Sequence, residues 1–312
     1  MRREPFKKGV AIAMTIVMLP FYLINSDNNV VAAESKASDV QWKLVWSDEF
    51  DGTELDLTKW DFRLDFWGKR SMTFSKHAYV EGDGCLHLPL VLEDGIYKSA
   101  HLQTGSLTYD KPKDSEGIWP FGKFEKPKFM HKFGFYEIRC KLPKNKGWHA
   151  AFWLQAPGIG SHPDPKYCGV EVDIMESYRL PSEGNVISGC GYGGYGKDSV
   201  WPGHKRVHLN DPEGWHTFAV DWTKDGYIYY MDGEETHRQM APQVPVSEVD
   251  QFILVSTECH GYNRAFANEA AESDPSGNAN VWCGKPISDL LDAKLPDEFV
   301  IDYVRVFDRI EK

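Results

Sequence analysis

Short stretches in which apolar and polar residues alternate recur along most of this chain. The clearest runs from Phe133 to Leu142. A period of two is typical of a strand with one buried face. No internal repeat and no long amphipathic helix is visible, so the chain is predicted to be all-β. Further strands are predicted at Trp42 to Phe50, Trp215 to Val220, Gly226 to Tyr230, Phe252 to Thr257 and Phe299 to Phe307.

One predicted strand carries acidic residues among its apolar ones. In residues 167–180, YCGVEVDIMESYRL, Glu171 and Asp173 alternate with valine and isoleucine, so they share one face of the strand. Glu176 comes five residues after Glu171, and this odd offset would direct it to the opposite face of a regular strand. One extra residue, a β-bulge at about Ile174–Met175, would return Glu176 to the face of the other two acids. Bulges are common beside active sites.

A row of three carboxyl groups on one strand face suits acid–base chemistry. Like charges that are brought together and partly buried push their pKa values apart. Glycoside hydrolysis uses such an arrangement, with two carboxyl groups flanking the scissile bond. Two other interpretations stay open at this point: a solvated strand face whose acids have no function, and a metal site.

The segment from Glu171 to Glu176, EVDIME, resembles the E-x-D-x-x-E signature of glycoside hydrolase family 16, in the form that contains the extra residue. Residues 149–154, HAAFWL, are similar to the family's W-P-A-F-W-x strand. Residues 215–222 with 230–233 resemble its W-H-x-Y-x-x-x-W and Y-x-D-G stretch, and residues 299–306 resemble its closing strand. The resemblance covers nearly the whole chain after the N-terminal segment.

Membership of that family would imply a β-sandwich jelly roll of the concanavalin-like type, in which two antiparallel sheets form a concave substrate cleft. It would also imply a retaining mechanism with Glu171 as nucleophile, Glu176 as acid/base and no cofactor for catalysis. Asp173 would hold the orientation and protonation of the nucleophile. Glu49 and Asp302 stand where relatives often hold a structural calcium ion, so the resemblance predicts a calcium site there; ordinary surface acids are the alternative.

The length and net charge of the chain limit the number of domains and the classes of ligand that it can bind. A chain of 312 residues, 42% of them hydrophobic, is long enough for one large core. Residues 34–312 are therefore predicted to form a single catalytic domain, acting as a monomer. The net charge of −11 argues against nucleic-acid binding, which needs a basic face, and is compatible with a neutral polysaccharide substrate.

Residues 1–33 have the features of a secretion signal peptide. Basic residues at positions 2, 3, 7 and 8 precede an apolar run from Gly9 to Ile24, and Val31–Ala33 offers small residues for cleavage. The run is short for a transmembrane helix, it contains Pro20, and no second hydrophobic span follows. We therefore predict a secreted protein with no membrane association after cleavage; an uncleaved anchor is the alternative.

Six cysteines, at positions 85, 140, 168, 190, 259 and 283, leave two interpretations open. Three disulfides are permitted outside the cell. Buried free thiols fit the sequence equally well. Because no C-x-x-C spacing occurs, a cysteine-based zinc site is not predicted.

Candidate substrate-binding residues flank the acid row on several strands and loops. Aromatic rings can stack on sugars, and polar side chains in a cleft can bond sugar hydroxyls. The candidates are Trp67 and Arg70 in an aromatic and charged segment, His101, Trp148 and Trp153 before the acidic strand, Tyr192, Tyr195 and Trp201 in and after the Gly-rich segment 189–196, and Glu258 and His260 at a strand end.

Two classes of polysaccharide substrate stay open. The family resemblance favours a β-1,3- or mixed-linkage β-1,3/1,4-glucan. Residues 69–74, KRSMTF, depart from the N-E-x-Q-Y type of segment found in laminarinases, so a β-galactan of the agarase, porphyranase or host-glycan type stays open. A non-catalytic carbohydrate-binding jelly roll is a further alternative, although sugar binding does not need closely spaced carboxylates. A transglycosylase would use the same site.

Overall fold

Two sheets, of ten and seven strands, make up most of the structure, which is a computed structural model of the chain. It describes residues 23–24, 29–31, 40–63, 73–105, 126–177, 184–195, 198–263 and 282–310. The all-β prediction is confirmed, since the helices of these ranges are a 3-10 turn at Pro165–Tyr167 and one short α-helix, α1, at Ser288–Leu291.

The strands follow one another closely along the chain. In order they are β1 (Leu23–Ile24), β2 (Asn29–Val31), β3 (Gln41–Asp48), β4 (Asp61–Phe62), β5 (Tyr79–Val80), β6 (Leu86–Pro89), β7 (Val91–Glu93), β8 (Ile96–Lys98), β9 (His101–Gln103), β10 (Gly134–Lys141), β11 (Trp148–Gln155), β12 (Glu171–Glu176), β13 (Asn185–Gly191), β14 (Lys205–His208), β15 (His216–Thr223), β16 (Gly226–Met231), β17 (Glu234–Met240), β18 (Phe252–Cys259), β19 (Gly261–Asn263), β20 (Trp282–Pro286) and β21 (Glu298–Ile310).

The acidic strand β12 lies inside the seven-stranded sheet. That sheet has the order β14-β13-β12-β11-β18-β9-β4, and β12 pairs antiparallel with both of its neighbours. The ten-stranded sheet has the order β1-β2-β3-β21-β10-β15-β16-β17, with β6 added to β21 and β5 added to β6. Because β12 is not an edge strand, side chains of a neighbouring strand flank its own side chains on each side.

One large apolar core fills the space between the two sheets. On β11, Ala150, Phe152 and Leu154 are fully buried in it, and Tyr136 and Ile138 enter it from β10. Burial of a large apolar side chain contributes about 1.5–3 kcal/mol to folding, so this core holds β11 and β12 in register. We call the face of the seven-stranded sheet that is turned away from this core the cleft face.

Two short strands lie within the stretch predicted to be a signal peptide. Strand β1 pairs with β2, and β2 pairs with β3 at one end of the ten-stranded sheet. Residues 1–22 lie outside the described residues, so cleavage after Ala33 stays a prediction. Over the ranges that the structure describes, no helix has the length and apolar character needed to cross a bilayer.

The cysteines favour the free-thiol interpretation. Cys85, Cys140, Cys168 and Cys190 are buried free thiols. Six cysteines with four unbridged cannot form three disulfides. Burial raises the pKa of the Cys190 thiol to about 12, so this group packs as a small apolar side chain.

Candidate active site

The predicted bulge in β12 is confirmed, and it places the three acids on the cleft face. Phe152 of β11 lies opposite Met175, but the next residue, Trp153, lies opposite Asp173, so Ile174 is the extra residue. The pairing of β12 with β13 shifts at the same place. Ile174 and Met175 both point into the core, with exposures of 2% and 0%, and Glu176 returns to the cleft face.

Two glycines of β13 allow aromatic rings to lie directly beside the acid row. Gly191 lies opposite Glu171 in the sheet. A Cβ atom at Gly191 would approach the Trp201 ring to 2.4 Å, and one at Gly189 would approach the His204 ring to 2.9 Å. Any larger residue would push these rings away from the sheet, which explains the glycines of this segment without any phosphate-binding role.

A chain of hydrogen-bond donors ends on Glu171. The Tyr195 hydroxyl donates to the Glu171 carboxylate, and the Gln155 amide donates to Tyr195. The guanidinium of Arg63 in turn donates to Gln155 Oε1 over 3.1 Å. Burial and the charges of the other two acids raise the pKa of Glu171 well above its ordinary value, while the Arg63 charge opposes the rise. These donors favour the ionised form that a nucleophile needs.

Asp173 is the central acid of the row and is only 3% exposed. Its Oδ2 lies 2.9 Å from Nε2 of His204. Burial raises the pKa of Asp173, and His204 opposes that rise through its hydrogen bond and charge. Asp173 in turn raises the pKa of both glutamates. The three carboxyls therefore titrate as one coupled group.

Glu176 has a different environment from Glu171. Burial, Asp173 and Glu258 all raise the pKa of Glu176 well above its ordinary value. The nearest basic group is His149, whose Nε2 lies 3.8 Å from Glu176 Oε1. Surrounded by other carboxyl groups, Glu176 is suited to keep a proton at a pH where an exposed glutamate has lost it, as a general acid must.

Sequence reasoning missed His149 and His204 as site residues. His204 has no recognisable motif, and the fold alone brings it to Asp173. His149 carries a signal, because it occupies the first position of the segment that resembles W-P-A-F-W-x, where the family pattern has tryptophan. A histidine in place of that tryptophan puts a titratable ring beside Glu176.

For two aromatic residues, the prediction that they bind substrate is wrong. Trp148 is 0% exposed, packs in a core cluster with Leu90 and Tyr97, and its indole N–H donates to Asp297 over 3.2 Å. The half-buried Tyr192 packs against the core between the sheets. Trp148 shares the strand face of Ala150, and Tyr192 follows a glycine of the cleft face, so strand alternation directs both side chains inward.

The remaining described candidates lie on the cleft face. Trp153 is 5% exposed, and its indole N–H donates to Ser256 over 3.0 Å. His101 is 1% exposed and lies beside the ring of Trp153, with centroids 5.9 Å apart. These two side chains form the floor of the site and offer little open ring surface. Trp201 is 42% exposed and keeps an open ring beside Glu171.

Glu258 and His260 lie on the same face beside His149, and therefore near Glu176. Trp67 and Arg70 fall outside the described residues, so their predicted contact with substrate stays a prediction. Tyr195, as described above, contacts Glu171 directly.

Three groups of side chains have the spacing to hold a metal ion among the residues that the structure describes. Their members are Asp173, Glu176 and His204; His149, Glu258 and His260; and Glu81, Asp83 and His87. The residues of the predicted calcium site are not among them. Glu49 is paired with Arg305, and Asp302 with Arg139. The calcium site stays a prediction.

Comparison with known proteins places this geometry in a family. The family model for glycosyl hydrolases family 16 matches residues 93–252, just over half of the chain. The chain is 25% identical to a glucan endo-1,3-beta-glucosidase A1 from Niallia circulans over 85% of its own length and 37% of that protein. It is also 25% identical to a beta-glucanase from Rhodothermus marinus, over 86% of each chain.

A solved structure agrees with the sequence relatives. The catalytic domain of an endo-1,3-beta-glucanase (laminarinase) from Thermotoga petrophila superposes with a TM-score of 0.60 at 25% identity, covering 86% of this chain and 99% of that one. The acid row on a bulged inner strand, the two-sheet architecture and the family match agree with one another. The chain belongs to glycosyl hydrolases family 16, and it is a glycoside hydrolase.

Proposed function

We propose that this protein is a secreted, retaining endo-hydrolase of β-1,3- or mixed-linkage β-1,3/1,4-glucan. The observation that carries the proposal is the contrast along the acid row. Glu171 accepts a hydrogen bond from Tyr195, whereas Glu176 is surrounded mainly by other carboxyl groups. Hydrogen-bond donors therefore favour the ionised form of Glu171, while neighbouring carboxyls favour the protonated form of Glu176, and a retaining glycosidase requires one carboxyl group of each kind.

In the first step, Glu171 attacks the anomeric carbon and forms a glycosyl ester with it. The glycosidic C–O bond breaks, and the leaving oxygen takes the proton of Glu176. In the second step, the Glu176 carboxylate removes a proton from water, and the resulting hydroxide displaces Glu171 from the anomeric carbon. Asp173 lies between the two glutamates, and its protonation is coupled to theirs as the proton moves.

The glucan preference is supported by the similarity to proteins described as glucanases. The open ring of Trp201 beside Glu171 is a platform on which a sugar ring can stack. Secretion is supported by the pattern of the first 33 residues and by the polymeric nature of the proposed substrate.

A polysaccharide panel with product sizing tests the proposal. It contains laminarin, barley mixed-linkage glucan, agarose, porphyran, carrageenan and a mucin-type glycan, with Glu171→Gln protein as the blank. We expect a series of oligosaccharides from one of the glucans, and NMR of the first product should show retained β-configuration at the new reducing end.

The other outcomes separate the alternatives. Cleavage of a galactan would keep the mechanism and replace the substrate. Products longer than the starting chain would indicate transglycosylation. If the folded protein binds a polysaccharide but cleaves no bond, the result would indicate a non-catalytic carbohydrate-binding module. Inverted product configuration would contradict the role of Glu171 as nucleophile.

A further inference from the structure

Beside the catalytic carboxyls, two histidines and a glutamate converge on the cleft face. His149 of β11 lies directly opposite Glu258 of β18, and His260 follows two residues later. One ligand atom of each residue lies within 4.8 Å of the others, and Nδ1 of His149 is 3.0 Å from Nε2 of His260. We propose that these three side chains bind a divalent transition-metal ion.

The backbone at the three residues is well fixed before any ion arrives. Glu258 and His260 are 8% and 1% exposed. The backbone N–H of His260 donates to Gly147 over 2.8 Å, and its carbonyl accepts from Ile287 over 3.1 Å. Because His149 and Glu258 lie on paired strands and both backbone polar groups of His260 are hydrogen-bonded, binding an ion requires little ordering of the backbone. Buried ionisable groups that cluster in this way are found paired or bound to metals.

The donor set selects the class of ion. Two imidazole nitrogens and one carboxylate oxygen are the protein ligands of many open zinc sites, whereas Ca²⁺ and Mg²⁺ require oxygen ligands. Metal–nitrogen bonds of about 2.0–2.1 Å place two tetrahedral ligands roughly 3.4 Å apart. The 3.0 Å between the nitrogens of His149 and His260 needs to widen by only a few tenths of an ångström. A water molecule would occupy the fourth position.

Coordination by these atoms also gives each histidine a definite tautomer. Nδ1 of His149 and Nε2 of His260 must be unprotonated, so each neutral ring carries its proton on its other nitrogen. For His149 that nitrogen is Nε2, which lies 3.8 Å from the Glu176 carboxylate. A metal-bound histidine commonly donates its second N–H to a carboxylate. His149 would therefore connect the bound ion to the acid/base residue.

The other two metal-capable groups are weaker candidates. One of them, made of Glu81, Asp83 and His87, supplies only one imidazole. The other contains Asp173 and Glu176, which the proposed reaction needs. The group with His149 is the one that supplies two imidazoles and neither of those acids.

Calorimetric titration of the tag-free protein with ZnCl2, in a non-coordinating buffer with excess Ca²⁺ and Mg²⁺, tests the site. We expect one Zn²⁺ per chain with a dissociation constant in the micromolar range or below. Zn²⁺ should also raise the thermal midpoint of the protein. His149→Gln and His260→Gln should each weaken binding at least about tenfold, because each removes one ligand. The matched controls His87→Gln and His204→Gln should leave the affinity unchanged.

The proposal is overturned if no saturable Zn²⁺ binding occurs, or if binding persists unchanged in both His149→Gln and His260→Gln. Loss of binding in a control variant would show that the ion binds at another group, and this result would also overturn the proposal. Near-UV circular dichroism of each metal-free variant checks folding, and Glu258→Gln provides a third ligand variant. Glu171→Gln protein should bind Zn²⁺ like the wild type, so the result does not depend on the proposed hydrolysis.

Discussion

Two acids on or beside the ten-stranded sheet, Glu49 and Asp302, have different partners from the acid row on the cleft face. Glu49, which directly follows β3, accepts two hydrogen bonds from Arg305, of 3.0 and 2.6 Å, and Asp302 of β21 is paired with Arg139. On the cleft face of the other sheet, the carboxyls of the acid row contact a tyrosine hydroxyl and a histidine ring and lie near one another. Carboxyls grouped together share protons, which is the property that acid–base catalysis uses.

The largest effect expected from this contrast is at Glu171. Glu171→Gln should lower kcat by at least about 10⁴-fold, because the amide cannot form the glycosyl ester. Glu49→Gln makes the same chemical change beside the other sheet and is the matched control. Reducing-sugar release from the preferred glucan measures both. A Glu171→Gln variant that keeps most of its activity would remove the acid row from catalysis.

The second effect separates Glu176 from Glu171. Glu176→Gln should lower hydrolysis of the glucan by about 10²–10⁴-fold, because the leaving oxygen then receives no proton. The first step on an aryl glycoside with an acidic phenol as leaving group should suffer much less, since that leaving group departs without protonation. A burst of phenol release followed by slow turnover is the expected trace. Equal losses on the two substrates would contradict the acid role.

The third effect is a shift in pH dependence. The charge of Asp173 raises the pKa of both glutamates, so Asp173→Asn should lower both values. Activity needs Glu171 ionised, which sets the acidic limb, and Glu176 protonated, which sets the basic limb. Both limbs of the kcat/KM profile should therefore move to lower pH. Limbs that stay in place or move to higher pH would show that Asp173 does not act through its charge.

The smallest effect belongs to Glu49, beside the ten-stranded sheet. The carboxylate side chain of Glu49 is 33% exposed, so its pair with Arg305 is well solvated. Glu49→Gln should lower the free energy of unfolding by less than about 1 kcal/mol. Urea denaturation measures this change, and kcat/KM should equal that of the wild type. A loss of activity without a loss of stability would mean that the two sheets are not functionally separate.

Much of the site could be predicted from local sequence. The alternation of Glu171 and Asp173 with apolar residues identifies their shared face, and the odd offset of Glu176 requires a bulge, which the register of β12 confirms. Both inferences depend on the period of a strand, a property of the backbone within a few residues. The hairpin of β15 and β16 is predictable for the same reason.

The error at Trp148 has a physical cause. Trp148 and Trp153 are five residues apart on a regular strand, so alternation requires them to face opposite sides. The pattern does not show which side is the cleft, because both faces of an inner strand carry large apolar residues. Trp148 lies in the core and Trp153 on the cleft face. Only the packing of one sheet on the other decides between them.

By itself, then, the sequence determined the all-β class, the bulged acidic strand and the family resemblance that assigns its chemistry. Tertiary structure alone decided which groups adjust that chemistry. Tyr195 and His204 reach the acid row from segments 24 and 31 residues away along the chain, and His260 reaches His149 from 111 residues away. Strand periodicity acts over neighbouring residues, whereas these contacts depend on which strands become neighbours in the sheet, and no local pattern encodes that order.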